Sequence, residues 1–138
     1  RMIVLADNDV RGAVVAMRRA IESGEYAEFP DLLGLRFREL EDLGLAADAP
    51  DLDIWRLCQD RGIILVTADR SEGDGEHSLE AILGTFGDER SWPVITIGNP
   101  NRVTSDRGYA ETCAVLLLDY LSRIDDLRGT GRLYLSPR

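Results

Sequence analysis

The sequence predicts an α/β domain with three layers, in which helices cover both faces of a mainly parallel central sheet of four to five strands. Short apolar runs of strand length alternate along the chain with longer segments that repeat apolar residues at helical spacing. The run IILVT at 63–67 is apolar almost throughout, as is typical of a strand buried on both faces of a parallel sheet. Residues 1–138 are expected to form a single domain, because this length suits one core and no low-complexity linker interrupts it.

The first strand is predicted at Met2–Ala6, where an apolar run ends at Asp7. A helix follows and ends near Gly24. Its apolar residues fall on one helical face: Val10, Val14, Met17 and Ile21. A second strand is predicted after Pro30, because apolar residues alternate there at a period of two: Leu33, Leu35 and Phe37. A helix through Leu40 and Leu43 is the competing interpretation of this stretch.

The middle of the chain predicts a helix followed by the most strand-like segment. The helix opens at Asp51, after a loop at 44–50, and ends at Gly62, a residue type common just after helix C-termini. The strand at 63–67 leads into a polar turn region at 68–76 and then into a helix that begins at Ser78.

The C-terminal part predicts one more buried strand, one long helix and a final edge strand. The strand covers Pro93–Ile97, the helix runs from about Asp106 to Asp126, and the edge strand covers Leu133–Leu135. Gly129 and Gly131 mark the break between the last two elements.

Composition and charge narrow the functional classes. The net charge of −9 argues against a broad basic surface for nucleic acid, but not against an enzyme that meets phosphate through metal ions. With His77 as the single histidine and with Cys58 and Cys113 in helical apolar patterns, a structural zinc site and a nucleophilic triad are not expected. The chain contains no lysine, which disfavours a phosphoacceptor receiver. A cytoplasmic protein without a membrane span is expected, because no secretory signal and no apolar run of about 20 residues occurs.

Three aspartates are predicted to meet at one edge of the sheet. Asp7 directly follows the first strand, Asp69 follows the 63–67 strand by two residues, and Asp51 opens the helix that leads into that strand. Ligands of parallel sheets bind outside the carboxyl ends of the strands. Crowded carboxylates repel one another, and a bound Mg²⁺ or Mn²⁺ removes that conflict. Helix capping and turn formation are the alternative roles of these aspartates, and capping is compatible with metal binding.

Three segments resemble the PIN-like domain proteins, a branch of the PIN nuclease superfamily. The segments are VLADNDV, APDLDIWRLCQDRGIILVTADRSEGDGEHSLEAI and PVITIGNPNRV, and the middle one is the most specific. The resemblance implies metal-dependent cleavage of RNA phosphodiester bonds, often by the toxin of a toxin–antitoxin pair, and homodimers are common in the superfamily. It assigns Asp7, Asp51 and Asp69 as catalytic and metal-binding residues, and Thr67 as the threonine that holds a carboxylate or a water.

One position departs from the pattern of the resemblance. Ser71 stands where related proteins often keep a further acid, and Glu72 or Asp74 is the available substitute. The leading hypothesis is therefore a Mg²⁺- or Mn²⁺-dependent endoribonuclease acting on RNA, with a protein antitoxin as its possible partner. The alternative hypothesis is a non-catalytic PIN-like module with a degenerate acidic site that acts through a protein partner.

Overall fold

The central sheet of the described residues has five strands, and all of them are parallel. A computed structural model of the chain describes residues 1–68 and 79–137. In that part of the chain the strand order is β2-β1-β3-β4-β5. The strands are β1 (Met2–Ala6), β2 (Leu35–Glu39), β3 (Ile64–Ala68), β4 (Val94–Ile97) and β5 (Arg132–Leu135). The predicted α/β class and parallel sheet are confirmed, and β5 lies at the sheet edge as predicted.

The described residues also form six α-helices and three 3₁₀ turns. The helices are α1 (Arg11–Glu22), α2 (Phe29–Leu33), α3 (Asp51–Arg61), α4 (Leu79–Phe86), α5 (Pro100–Ser105) and α6 (Arg107–Ser122). The 3₁₀ turns are Asn8–Val10, Leu40–Leu43 and Ile124–Leu127. None of the described helices is long and apolar enough to cross a membrane.

The core has two parts, one on each face of the sheet. On the first face the helices α1, α5 and α6 pack against alternate strand residues: Val4, Ala6, Ile64, Val66, Ile95, Ile97 and Leu135. On the second face α3 and α4 pack against the residues between them, which include Leu5, Leu65 and Val94. Because side chains alternate across a strand, Asp7 and Thr67 belong to the second face, two residues beyond Leu5 and Leu65. The helices therefore form the predicted outer layers of an α/β/α arrangement.

The second strand begins two residues later than its alternating pattern suggested. Leu33 is the last residue of α2, and Gly34 ends that helix in the left-handed conformation at φ 62°. Strand β2 then starts at Leu35, and the competing helical pattern through Leu40 and Leu43 is the 3₁₀ turn that follows β2. Both interpretations were thus partly correct, because the strand and the turn occupy successive segments.

The predicted long C-terminal helix is shorter than expected. Asp106 caps its start by accepting a hydrogen bond from the Tyr109 N–H, at 3.1 Å. The regular helix ends at Ser122, and Ile124–Leu127 forms a 3₁₀ turn instead of a further helical turn. The separate helix α5 was not predicted. Its start is capped by Asn99, whose side chain accepts from the Arg102 N–H at 3.1 Å.

Candidate metal site

Asp7 is a buried carboxylate held at the carboxyl end of β1. Its side chain is 8% exposed. One carboxylate oxygen accepts the Asn8 N–H at 2.8 Å, which caps the 3₁₀ turn Asn8–Val10. The other oxygen accepts the Thr67 hydroxyl at 3.2 Å, and the Asp7 N–H donates to the Val66 carbonyl at 3.0 Å. Asp7 is therefore both a cap, as one alternative proposed, and a fixed acid at the sheet edge.

Asp51 lines the same cavity as Asp7. It is the first residue of α3 and is partly buried. The cavity is also lined by Thr67, by apolar side chains and by Arg132. Its volume of about 10 Å³ is close to what a single water-sized ligand occupies. Two of the three predicted aspartates are thus brought together by the fold.

The cavity lies where the strand order reverses direction. Strand β1 has β2 on one side and β3 on the other, so the connections after β1 and after β3 leave toward opposite edges of the sheet. Such a switch point opens a crevice outside the strand ends, where ligands of doubly wound sheets bind. Asp7 follows β1 and Thr67 is near the end of β3, so both flank this crevice.

The third predicted aspartate lies outside the described residues. Asp69 falls between 68 and 79, as do Ser71, Glu72, Asp74 and His77. The predicted start of a helix at Ser78 also falls there, and α4 is described from Leu79. The roles predicted for Asp69, Ser71, Glu72, Asp74 and His77 stay predictions.

Arg132 is a site residue that the sequence analysis missed. Its side chain is 8% exposed, and its Nη1 donates to Glu80 Oε1 at 2.6 Å. The period-two pattern of β5 places Arg132 on the face opposite Leu133 and Leu135. This pattern is the only signal in the sequence for the orientation of the Arg132 side chain. Nothing local to Arg132 predicts that it reaches an acidic cavity under β3.

Thr96 is a second missed residue on the same face of the sheet. It pairs in register with Thr67 and is fully buried. In the part of the chain that the structure describes, its Oγ1 has no hydrogen-bond partner. Neighbouring strands thus carry two buried threonines, of which only Thr67 has a carboxylate to donate to.

Cys58 is a buried thiol that feels the negative charge of Asp7. Burial, together with the negative charge of Asp7, raises the pKa of the Cys58 thiol to about 12. The pKa of Cys113 is also raised, chiefly by burial. Because the thiolate is the reactive form of cysteine, a raised pKa lowers the reactivity of both thiols. Both cysteines are buried and free.

Arg11 lies at the same edge of the sheet but pairs with acids of its own. It makes two hydrogen bonds to Glu39, at 2.6 and 2.9 Å, and one to Glu41 at 2.9 Å. The hydrogen bonds to Glu39 raise its pKa above the ordinary value. Arg11 thus ties the end of β2 to the start of α1.

The donor atoms of the cavity fit a hard divalent cation. Within 1–68 and 79–137, no group of three or more His, Cys, Asp or Glu side chains is placed to hold a metal ion. Mg²⁺, however, is commonly bound by only one or two carboxylates together with waters and substrate phosphates. Asp7 and Asp51 supply two carboxylates, and the Thr67 hydroxyl orients the first of them.

Comparisons with protein-family models, curated proteins and solved structures found no match for this chain. The fold and the site define its class from the chain itself. It is a doubly wound α/β protein with an acidic cavity at the switch point of the sheet.

Proposed function

We propose that this chain is a Mg²⁺- or Mn²⁺-dependent ribonuclease of the PIN-like type. The observation that carries the proposal is the meeting of Asp7 and Asp51 in one cavity at the switch point. The two residues are 44 positions apart in the sequence, so local capping alone does not explain why they share a cavity. The resemblance in three sequence segments adds the reaction class, cleavage of RNA phosphodiester bonds.

In this mechanism the residues of the chain position charge. Asp7 and Asp51 supply the two carboxylates that line the cavity, and Asp69 is the third acid that the resemblance assigns. Thr67 holds one oxygen of Asp7, so that the carboxylate keeps one orientation. A bound Mg²⁺ or Mn²⁺ supplies activation of water and neutralisation of charge on the scissile phosphate.

Cleavage of a fluorescent single-stranded RNA with Mg²⁺, Mn²⁺ or EDTA tests the proposal. The wild type should cleave only with metal, and Asp7→Asn and Asp51→Asn should each lose more than the roughly 10–100-fold that loss of an outer partner costs. Asp53→Asn is the matched control, because Asp53 is an exposed acid two residues along α3 that does not line the cavity. Equal rates for the wild type and Asp7→Asn would remove Asp7 from the mechanism. Absence of cleavage by the wild type would refute the enzyme proposal.

The surface around α2 favours a second candidate function, binding of a protein partner. Tyr26, Phe29 and Leu32 are exposed there, Leu32 to 77%. Exposed acids surround them: Glu22, Glu25, Glu28 and Asp31. A protein partner with apolar and basic side chains would suit this surface. A stable complex recovered from cells with the wild type, lost with Leu32→Glu and accompanied by no RNA cleavage, would favour the non-catalytic module.

A further inference from the structure

Arg132 is buried in a place where arginine is uncommon. Arginine side chains are mostly exposed unless they are paired, and Arg132 is 8% exposed although it begins an edge strand. Burial of a guanidinium has a desolvation cost, so the surroundings must supply negative charge or hydrogen-bond acceptors. Glu80 supplies one acceptor at 2.6 Å.

The side chain of Arg132 lies along the second face of the sheet. Its backbone pairs in register with Val94 of β4, and β5 is two strands away from β3. Strands are about 4.8 Å apart, so Arg132 and Thr67 sit on strands roughly 10 Å apart. Arg132 nevertheless lines the same cavity as Thr67, Asp7 and Asp51. Its side chain therefore extends across β4 to the cavity that the two aspartates line.

Glu80 fixes the position of this guanidinium from the first turn of α4. The side chain of Glu80 is 59% exposed, whereas that of Arg132 is 8% exposed. A guanidinium carries five N–H donors in a planar fork and does not lose its charge in proteins. The cavity consequently combines two carboxylates with a permanent cation, and the fork suits the oxygens of a phosphate group.

We infer that Arg132 is the residue that binds the phosphate of the substrate at this site, and that Glu80 positions it. The inference rests on the proposed function, because it assigns the anion-binding half of a site whose cation-binding half is Asp7 and Asp51. The ligand class is a phosphodiester of a single-stranded nucleic acid. Charge balance of the two aspartates is the competing role for Arg132.

The two roles predict different combinations of effects in Arg132→Gln. Either role predicts tighter binding of Mn²⁺, because a cation that repels the metal is removed from the cavity. Only the phosphate-binding role also predicts weaker binding of RNA. Loss of folding would weaken both, so the opposite signs are not produced by a damaged protein.

The experiment measures two affinities without relying on cleavage. Mn²⁺ binding is measured by calorimetry, and binding of a fluorescent single-stranded RNA is measured by anisotropy in EDTA across a salt series. Arg132→Gln should bind Mn²⁺ several-fold more tightly and RNA about 10-fold more weakly, with the salt slope reduced by about 0.7 for one lost phosphate contact. Arg107→Gln is the charge-matched control. Arg107 is 78% exposed on α6, on the opposite face of the sheet. The RNA affinity of the Arg107→Gln variant should therefore change less than about twofold.

A conservative variant keeps the test open if Arg132→Gln does not fold. Arg132→Lys retains the charge and loses the planar fork, so it should leave Mn²⁺ affinity unchanged and still weaken RNA binding several-fold. Tighter Mn²⁺ binding in Arg132→Gln with unchanged RNA affinity would overturn the inference and leave charge balance as the role of Arg132. The wild type could also bind RNA through Arg132 and bind no Mn²⁺. That result would support the inference about Arg132 and refute the proposed metal-dependent function.

Discussion

Replacing Thr67 by valine should destabilise the fold, whereas replacing Thr96 by valine should not. The two threonines are in-register neighbours on β3 and β4, and both are buried, at 4% and 0% exposure. The Thr67 hydroxyl donates to Asp7 at 3.2 Å, whereas the Thr96 hydroxyl has no hydrogen-bond partner in the described part of the chain. Valine has nearly the shape of threonine, so each substitution changes the hydroxyl and little else.

The magnitude follows from the state of each hydroxyl. A hydrogen bond to a charged group contributes about 1.5–3 kcal/mol, and the long 3.2 Å distance places Thr67 at the lower end. Thr67→Val should therefore lower the free energy of unfolding by about 1.5 kcal/mol. Thr96→Val removes an unsatisfied buried hydroxyl, so it should be neutral or raise that free energy by up to about 1 kcal/mol.

Urea denaturation followed by circular dichroism measures both effects. With a slope of about 2 kcal/mol/M, Thr67→Val should lower the unfolding midpoint by about 0.8 M. In an Asp7→Ala background Thr67→Val should have no destabilising effect, because the acceptor of its hydroxyl is gone. A similar loss for Thr67→Val and Thr96→Val, or an equal loss for Thr67→Val with and without Asp7, would refute the reasoning.

Two further predictions concern pH and backbone geometry. The pKa of the Cys58 thiol is raised to about 12 in the folded chain, against about 9 in the unfolded chain. The unfolded chain therefore loses the thiol proton first as pH rises above about 9, and the free energy of unfolding falls there by at most ~1.4 kcal/mol per pH unit. Urea midpoints from pH 8 to 11 should fall less steeply for Cys58→Ala than for the wild type, and parallel curves would contradict the assignment. At the turn before β5, Gly129→Ala should destabilise by at least about 1 kcal/mol more than Gly131→Ala. Both glycines have positive φ, at 84° and 83°, but only a Cβ at Gly129 would lie 2.7 Å from the Glu89 carbonyl oxygen. Equal thermal midpoints for the two variants would contradict this prediction.

The sequence predicted the elements whose signals are local. The strand β1 was predicted with its observed bounds, and β3 was predicted within one residue, because unbroken apolar runs bounded by polar residues identify buried strands. Gly62 was correctly predicted to follow α3, where it adopts the left-handed conformation at φ 67°. The elements that were wrong or missed, α2 and α5, are five and six residues long. Helices this short are set by caps and tertiary packing, and they carry little periodic signal.

The residues lining the cavity were predicted only where they adjoin the ends of recognisable strands and helices. Asp7 was found because it follows a recognisable strand, and Asp51 because it opens a recognisable helix. Arg132 was missed because its position in the cavity depends on the strand order and on the pairing of β5 with β4, and nearby residues carry no signal for either. Long side chains that cross a sheet face are thus a class of site residue for which topology must be known first.

Asp7 has an observed role as a cap and a proposed role as a metal ligand, and the chemistry of the two roles separates them. As a cap, it needs only an oxygen that accepts the Asn8 N–H, and asparagine caps helices about as well as aspartate. As a metal ligand, it needs the negative charge that asparagine lacks. Asp7→Asn therefore keeps the cap at the start of the 3₁₀ turn and removes the charge from the cavity. Thr67→Val measures how much the hydrogen bond between Thr67 and Asp7 contributes to the free energy of unfolding. Asp7→Asn should lower the free energy of unfolding by no more than that amount. A variant that stays within that limit, remains folded and loses metal-dependent cleavage would assign the loss to the charge of Asp7 and not to the fold.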